Sequence, residues 1–366
     1  MKKRWLIGLV LMCGCTSVQV QEEIQQAESK PEVYEYEPQE WNFHYEHLDT
    51  AMQSSYDLLY AGMDTYADEI VLQDVDEEQM QLLFRSILED HPELFYVHTQ
   101  YQYRVYADGS LSFYPAYDFD EEERDSMLQQ MNAISEEIVA KAPDEEEERA
   151  AYLYAYVIEH MAYANNERDQ QMDSFFFQGE SVCAGYAKAY QYLMQKAGLR
   201  CTTISGEWID DSLVQGDNSR AHAWNLVYLD DDWFYVDTTS GDIIDYGPHT
   251  CYQFFLLSTQ EAQPIYAPSI EVPSTKAPEE SYFQKHHLYL EKYDEEVLQC
   301  SIKRMKEQGD GVIELRTKPD EVNALKAQLL ENNRIFHLLA QQGIYADTLG
   351  YAQFDALGSL EFYLDE

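Results

Sequence analysis

Two strand-like runs joined by a tight turn constrain this chain more than any other feature. His222-Ala223-Trp224-Asn225-Leu226-Val227-Tyr228-Leu229 and Trp233-Phe234-Tyr235-Val236-Asp237-Thr238 are rich in aromatic and branched residues, and Asp230-Asp231-Asp232 lies between them. That pattern predicts an antiparallel hairpin. With a two-residue turn, Leu229 pairs with Asp232, and Asp237 falls opposite Trp224 on the face that also carries His222. The two residues are then diagonal neighbours, roughly 7–8 Å apart, a gap their side chains can bridge. A one-residue slip would put them on opposite faces, unless a bulge restored the facing.

Upstream, Ser181-Val182-Cys183-Ala184-Gly185-Tyr186 opens a helical pattern in which Val182, Tyr186, Tyr190, Leu193 and Ala197 recur at helical spacing, with Gly198 as the stop signal. Cys183 therefore sits at a helix start, where unpaired N–H groups and the positive dipole end favour thiolate and could hold an oxyanion. Thiol, imidazole and carboxylate are the parts of a nucleophilic acyl-transfer site, in which a base activates sulfur and an acid orients the base. Each residue alone also fits a plainer role: Cys183 as a packed thiol, His222 as a strand histidine, Asp237 as a residue that ties down a turn. In the order helix-start cysteine, strand, hairpin with His and Asp, they point together to chemistry.

This stretch resembles the transglutaminase-like superfamily, whose core is shared by transglutaminases, papain-like cysteine proteases and peptide N-glycanases. The resemblance rests on Val182-Cys183-Ala184-Gly185-Tyr186-Ala187, Ala197-Gly198-Leu199, Ile204-Ser205-Gly206, His222-Ala223-Trp224-Asn225, Trp233-Phe234-Tyr235-Val236-Asp237-Thr238-Thr239 and the later Tyr252-Gln253-Phe254-Phe255-Leu256. It implies an α+β fold with a papain/transglutaminase-like core, the cysteine helix packed on an antiparallel sheet that bears His and Asp. It also implies Cys183 as nucleophile, His222 as general base and Asp237 as the residue that fixes the imidazole. Animal transglutaminases add an upstream tryptophan to the oxyanion hole, but the tryptophans before Cys183 are Trp5 and Trp41. The candidates to replace it are Tyr163 and Gln178.

The N-terminus gives an expected address. Met1-Lys2-Lys3-Arg4 and the short apolar Trp5–Met12 read as an export signal, too brief to span a bilayer permanently. Leu11-Met12-Cys13-Gly14-Cys15 resembles the lipobox of bacterial lipoproteins, with Cys15 the better acceptor because small Gly14 precedes it. An ordinary signal peptide is the alternative. Both place the mature chain outside the cytoplasm, and the first holds it on the cell membrane by lipid. Asp plus Glu number 68 against 24 Lys plus Arg, so phosphate backbones and anionic bilayers repel the chain.

No cofactor or metal is expected. Asp230-Asp231-Asp232 lacks the spacing and glycine of an EF-hand, and no paired-cysteine zinc spacing occurs. With Cys183 free, Cys201, Cys251 and Cys300 allow at most one disulfide, and none is expected to be essential. Cys201 is expected in the core.

The chain divides into a signal and lipid acceptor (1–15), a Gln/Glu-rich tether (16–40), an N-terminal α+β region (41–118), the transglutaminase-like domain (119–263), a proline-marked linker (264–281) and a C-terminal α+β region (282–366). In the first region a helix around Met80, Leu83, Phe84 and Ile87 precedes a hairpin turning at Asp108-Gly109. Asp90-His91-Pro92-Glu93-Leu94-Phe95-Tyr96 resembles the segment before the core in exported bacterial members, with His91 read as a turn residue. The acidic run Asp144–Glu148 opens a helix whose apolar face is Ala150, Leu153, Val157, Ile158 and Met161. Val312–Leu315 reads as a strand and Val322–Leu330 as a helix. The expected activity is extracytoplasmic acyl transfer on amide bonds of a protein or peptide, cell-wall-associated ones included, by a monomer. Sequence leaves hydrolysis and transamidation open. The rival class is a noncatalytic module that binds peptide or cell-wall polymer on the same fold, and a metal-site reading of the trio ranks behind both.

Overall fold

The computed structural model describes residues 6–9, 41–210, 220–242, 250–275, 281–309 and 311–364. Cys15 and the tether lie outside the described residues. Among those described, no helix is long and apolar enough to cross a membrane.

The N-terminal region contains β1 (Leu6–Leu9), α1 (Phe43–Glu46), α2 (Thr50–Asp64), β2 (Ile70–Leu72), α3 (Glu77–Asp90), β3 (Gln100–Val105) and β4 (Leu111–Tyr114). Its sheet runs β1-β3-β4-β2, so part of the apolar segment expected as a signal is here an edge strand on β3. Asp76 begins α3 through a full capping box with Gln79. The expected apolar face of α3 is buried, and Phe84 meets Tyr101 and Phe113 at ring-centroid separations of 4.9 and 5.3 Å. His91 ends α3 just before a 3-10 turn over Pro92–Leu94 and is buried, its Nδ1 2.8 Å from Glu93.

The central region contains α4 (Glu121–Val139), α5 (Glu146–Glu159), β5 (Ala162–Tyr163), α6 (Asp173–Phe177), β6 (Glu180–Ser181), α7 (Cys183–Lys196), β7 (Arg200–Trp208), β8 (Ala221–Leu229), β9 (Asp232–Val236), α8 (Thr259–Ala262) and β10 (Tyr266–Pro268). Its antiparallel sheet has the order β10-β7-β8-β9. Leu229 pairs with Asp232 across a turn in which Asp230 and Asp231 both have positive φ, 50° and 60°. That is the two-residue geometry whose twist suits a hairpin, so the expected register holds. The apolar side of α7 packs on the sheet and on α5, where the Tyr190 hydroxyl donates to the Ala150 carbonyl at 3.2 Å.

The stretch expected to be a linker begins instead as the edge strand of this sheet. Tyr266, Ala267 and Pro268 pair with Trp208, Glu207 and Gly206. The prolines misled because an edge strand, unlike a central one, tolerates a residue without an N–H. Gly206 makes room for the pairing, since a Cβ there would collide with the Ala267 carbonyl and the Trp224 ring.

The C-terminal region contains α9 (Tyr282–Lys285), α10 (Glu295–Gln308), β11 (Val312–Arg316), α11 (Val322–Leu330), α12 (Arg334–Gln341), β12 (Leu349–Phe354) and β13 (Ser359–Leu364). Its three-stranded sheet, β11-β13-β12, buries Ile313, Leu315, Leu360 and Phe362 in one core with residues of α10, α11 and α12. The alternate residues Glu314, Arg316 and Glu361 face the central region: Tyr252 N–H donates to Glu314 and Cys251 Sγ to Glu361.

The flanking regions are packed into the centre. One apolar cluster runs from Tyr56, Phe84 and Phe95 to Cys183, Ala187 and Ala223, and another joins Phe43 and Leu357 to Trp224 and Leu226. Helix α4 spans the junction, with Met131 in the first cluster and Ile138 against α5 and α7. A polar seam reinforces it. Ser205 Oγ donates to Glu89 at 2.6 Å, and Gln191 donates to the Glu89 carbonyl at 2.9 Å while accepting from Thr203.

Candidate active site

Cys183 is the first residue of α7, preceded by Val182, whose extended backbone (φ −107°, ψ −177°) turns the chain into the helix. Intrahelical bonding begins with Gly185 and Tyr186, both donating to the Val182 carbonyl. The N–H groups at the very start of a helix have no acceptor within it and suit a developing negative charge. Gly185 lets this turn lie against its support: a Cβ there would strike Ser181 Oγ and the Asp169 carbonyl.

His222 and Asp237 come together across the hairpin as the register requires. Imidazole Nε2 lies 2.7 Å from Asp237 Oδ2, with both side chains essentially buried. Asp237 is itself held. Ser240 donates from its backbone N–H to Oδ1 at 2.9 Å and from its hydroxyl to Oδ2 at 2.6 Å, and the Tyr266 hydroxyl reaches Oδ2 at 2.8 Å. With Nε2 engaged, Nδ1 is the other ring nitrogen; it is buried and makes no hydrogen bond in this structure, and Cys183 lies near enough to His222 to act on its charge. The helix thus supplies the sulfur and the sheet supplies the imidazole and carboxylate.

Burial by itself would lower the His222 pKa. The Asp237 carboxylate, by charge and hydrogen bond, and Cys183 more than offset it and bring the imidazole up to about 9. Burial likewise would raise Asp237, but the His222 ring and the two Ser240 donors hold its pKa below the ordinary value. Aromatic rings enclose the imidazole. Trp208 stacks on it with centroids 3.8 Å apart and an interplanar angle of 22°, and Trp224 and Tyr266 stand at 6.0 and 6.2 Å. Such walls exclude water and strengthen the charge interactions inside. Cys183 is 5% exposed and His222 0%.

Tyr163 is 57% exposed on β5, opposite Ser181 of the strand that leads to Cys183, with its ring 6.3 Å from that of Tyr186. Gln178 is exposed at the end of α6, its N–H bonded to the Ser174 carbonyl. Cys201 and Cys251 are buried free thiols, and Cys300 is an exposed one.

Sequence reasoning missed Trp208, Ser240 and Tyr266. Ser240 had a signal, because Asp237-Thr238-Thr239-Ser240 has the spacing at which a carboxylate caps a following turn. Tyr266 had none, since β10 is brought to Asp237 by strand pairing alone.

Cys183 on α7 is thus brought near His222 and Asp237 of the central sheet, with helices and strands layered around them. Residues 132–238 match the sequence model of the transglutaminase-like superfamily. Over 103 residues the chain is 29% identical to kyphoscoliosis peptidase of Mus musculus and equally to that of Homo sapiens, covering 26% of this chain and 16% of each relative. The match thus spans less than a fifth of these relatives. Similar solved structures include a TGase, 13% identical with a TM-score of 0.29, covering 49% of this chain and 52% of that one. Another is the periplasmic domain of TgpA from Pseudomonas aeruginosa, 21% identical with a TM-score of 0.24, covering 36% of this chain and 52% of that one.

Proposed function

We propose that this protein is an extracytoplasmic thiol enzyme that transfers acyl groups from amide bonds of proteins or peptides, with Cys183 as nucleophile, His222 as general base and Asp237 as the group that orients the imidazole. The observation that carries the reading is the 2.7 Å contact between His222 Nε2 and an Asp237 carboxylate already held by Ser240 and Tyr266. That contact leaves Nδ1 for the thiol. Cys183 Sγ attacks the amide carbonyl, and the His222 imidazolium returns a proton to the departing amine. The resulting thioester is resolved by water, which gives a peptidase or amidase, or by an amine, which gives a cross-linking enzyme. The fit of a short apolar segment followed by Gly14-Cys15 supports export and a diacylglycerol anchor on Cys15.

Peptide libraries incubated with wild type and Cys183→Ala, then read by mass spectrometry for cleavage, deamidation and cross-links, test the activity. We expect Cys183-dependent products. A cysteine-directed electrophile should label Cys183 faster than Cys201, Cys251 or Cys300, and more slowly in His222→Ala. Equal labelling of all four, with no product from any library, would favour a noncatalytic binding module. Incorporation of labelled fatty acid that persists in Cys15→Ala would remove the anchor.

A further inference from the structure

At the seam between the central and C-terminal regions, Cys251, Glu314 and Glu361 bring their ligand-type atoms within 4.8 Å of one another, all three residues buried. Glu314 and Glu361 are direct partners in the β11–β13 register. Like charges placed opposite each other destabilise a strand pair, and burial multiplies the cost unless a cation or proton offsets it. The nearby cations are partly committed. Arg316 donates to Glu261 at 2.9 Å and to the Gln253 carbonyl. Arg304 adds positive charge towards Glu314 but lies over the Tyr252 ring and donates to the Tyr282 hydroxyl at 2.9 Å. Among the described residues, the hydrogen-bond donors to the two carboxylates are neutral: Cys251 Sγ and the Tyr363 hydroxyl on Glu361, and the Tyr252 N–H on Glu314. Two residues from Glu361 on the same face of β13, Ser359 Oγ is buried without a hydrogen-bond partner.

We propose that Cys251, Glu314 and Glu361 form a zinc site that fastens the C-terminal sheet to the central domain. The thiolate selects zinc over calcium or magnesium, which take oxygen ligands. Zinc–sulfur and zinc–oxygen bonds of about 2.3 and about 2.0–2.2 Å need only small side-chain shifts from this arrangement. On binding, the Cys251 S–H proton leaves to solvent, a sulfur–zinc bond replaces the hydrogen bond to Glu361, and the dication offsets the facing carboxylates. The site also braces the trio. Cys251 N–H donates to the Gly241 carbonyl at 3.1 Å, and its own carbonyl accepts at 2.7 Å from the Tyr154 hydroxyl, which reaches the Asp237 carbonyl at 3.3 Å. Cysteine spacing gives no hint of this, because the three ligands are far apart in sequence.

The full chain, stripped with a chelator and titrated with cobalt, should take up one equivalent with a near-ultraviolet thiolate-to-metal band, and zinc should displace it and raise the melting temperature. Cys251→Ser should abolish the band. Glu361→Gln, which keeps the side-chain volume, should weaken binding at least about tenfold. Cys183→Ala should leave both signals intact. Absence of uptake, or a band that survives Cys251→Ser and disappears in Cys183→Ala, would overturn the proposal. Circular dichroism of each variant separates a lost site from a lost fold.

Discussion

In the mechanism proposed above, the imidazole of His222 is where the chemistry and the pH response meet. With its pKa near 9, the ring stays protonated beside the sulfur through neutral pH. We expect kcat/KM for thioester formation to fall on the alkaline side with an apparent pKa near 9. In Asp237→Asn that limb should move to lower pH, because the charge that raises the imidazole pKa is gone. A profile flat to about pH 11 would contradict the role of the imidazolium. The same shift bears on stability. A proton bound more tightly in the folded chain stabilises it fully below the unfolded value of 6.5, and that contribution is lost as pH rises through about 9. Asp237 acts in the opposite sense: its contribution is present above 3.8 and is lost as pH falls from there through its lower folded value. Tyr266→Phe removes one donor to Asp237 Oδ2. It should cost about 1.5–3 kcal/mol of stability in chemical denaturation, as for a hydrogen bond to a charged group.

The trio depends on the hairpin turn at the level of elements. Asp230 and Asp231 sit in left-handed backbone, which an aspartate tolerates and a β-branched residue does not. Asp231→Gly should therefore raise stability by about 1 kcal/mol and Asp231→Val should lower it by a similar amount. Thermal melts of the two variants would check the opposite signs, and equal effects would count against the observed turn. Much at this scale was legible from sequence. The pairing of Leu229 with Asp232, the start of α7 at Cys183 and the helix over Val322–Leu330 all follow from local periodicity and turn chemistry. Strand β10 was not legible. Its three residues carry no alternating pattern of their own and become a strand only because β7 offers an open edge.

At the scale of the whole molecule, the regions on either side of the central domain share its cores. Arg316 shows how: buried on β11, it donates to Glu261 and to the Gln253 carbonyl and lies 4.6 Å from the centre of the Phe283 ring. Arg316→Ala should destabilise the protein by roughly 2–3 kcal/mol, less than for a fully enclosed ion pair, because Glu261 is partly exposed and can be hydrated. Urea unfolding would measure it, and we expect one shared transition, given the apolar clusters that cross the region boundaries. Two separated transitions would mean that the C-terminal region is only loosely docked.

What the sequence determined by itself is short-range: which residues begin the cysteine helix, which pair across the hairpin, and hence that His222 and Asp237 share a face. Those outcomes depend on dihedral preferences and alternation over a few residues, which local composition encodes. Only the tertiary structure decided that Ser240 and Tyr266 secure Asp237, that Trp208 covers the imidazole, and that Cys251 meets two glutamates from a distant sheet. Those contacts arise where separate layers close over one another, and no period along the chain records which surfaces will meet.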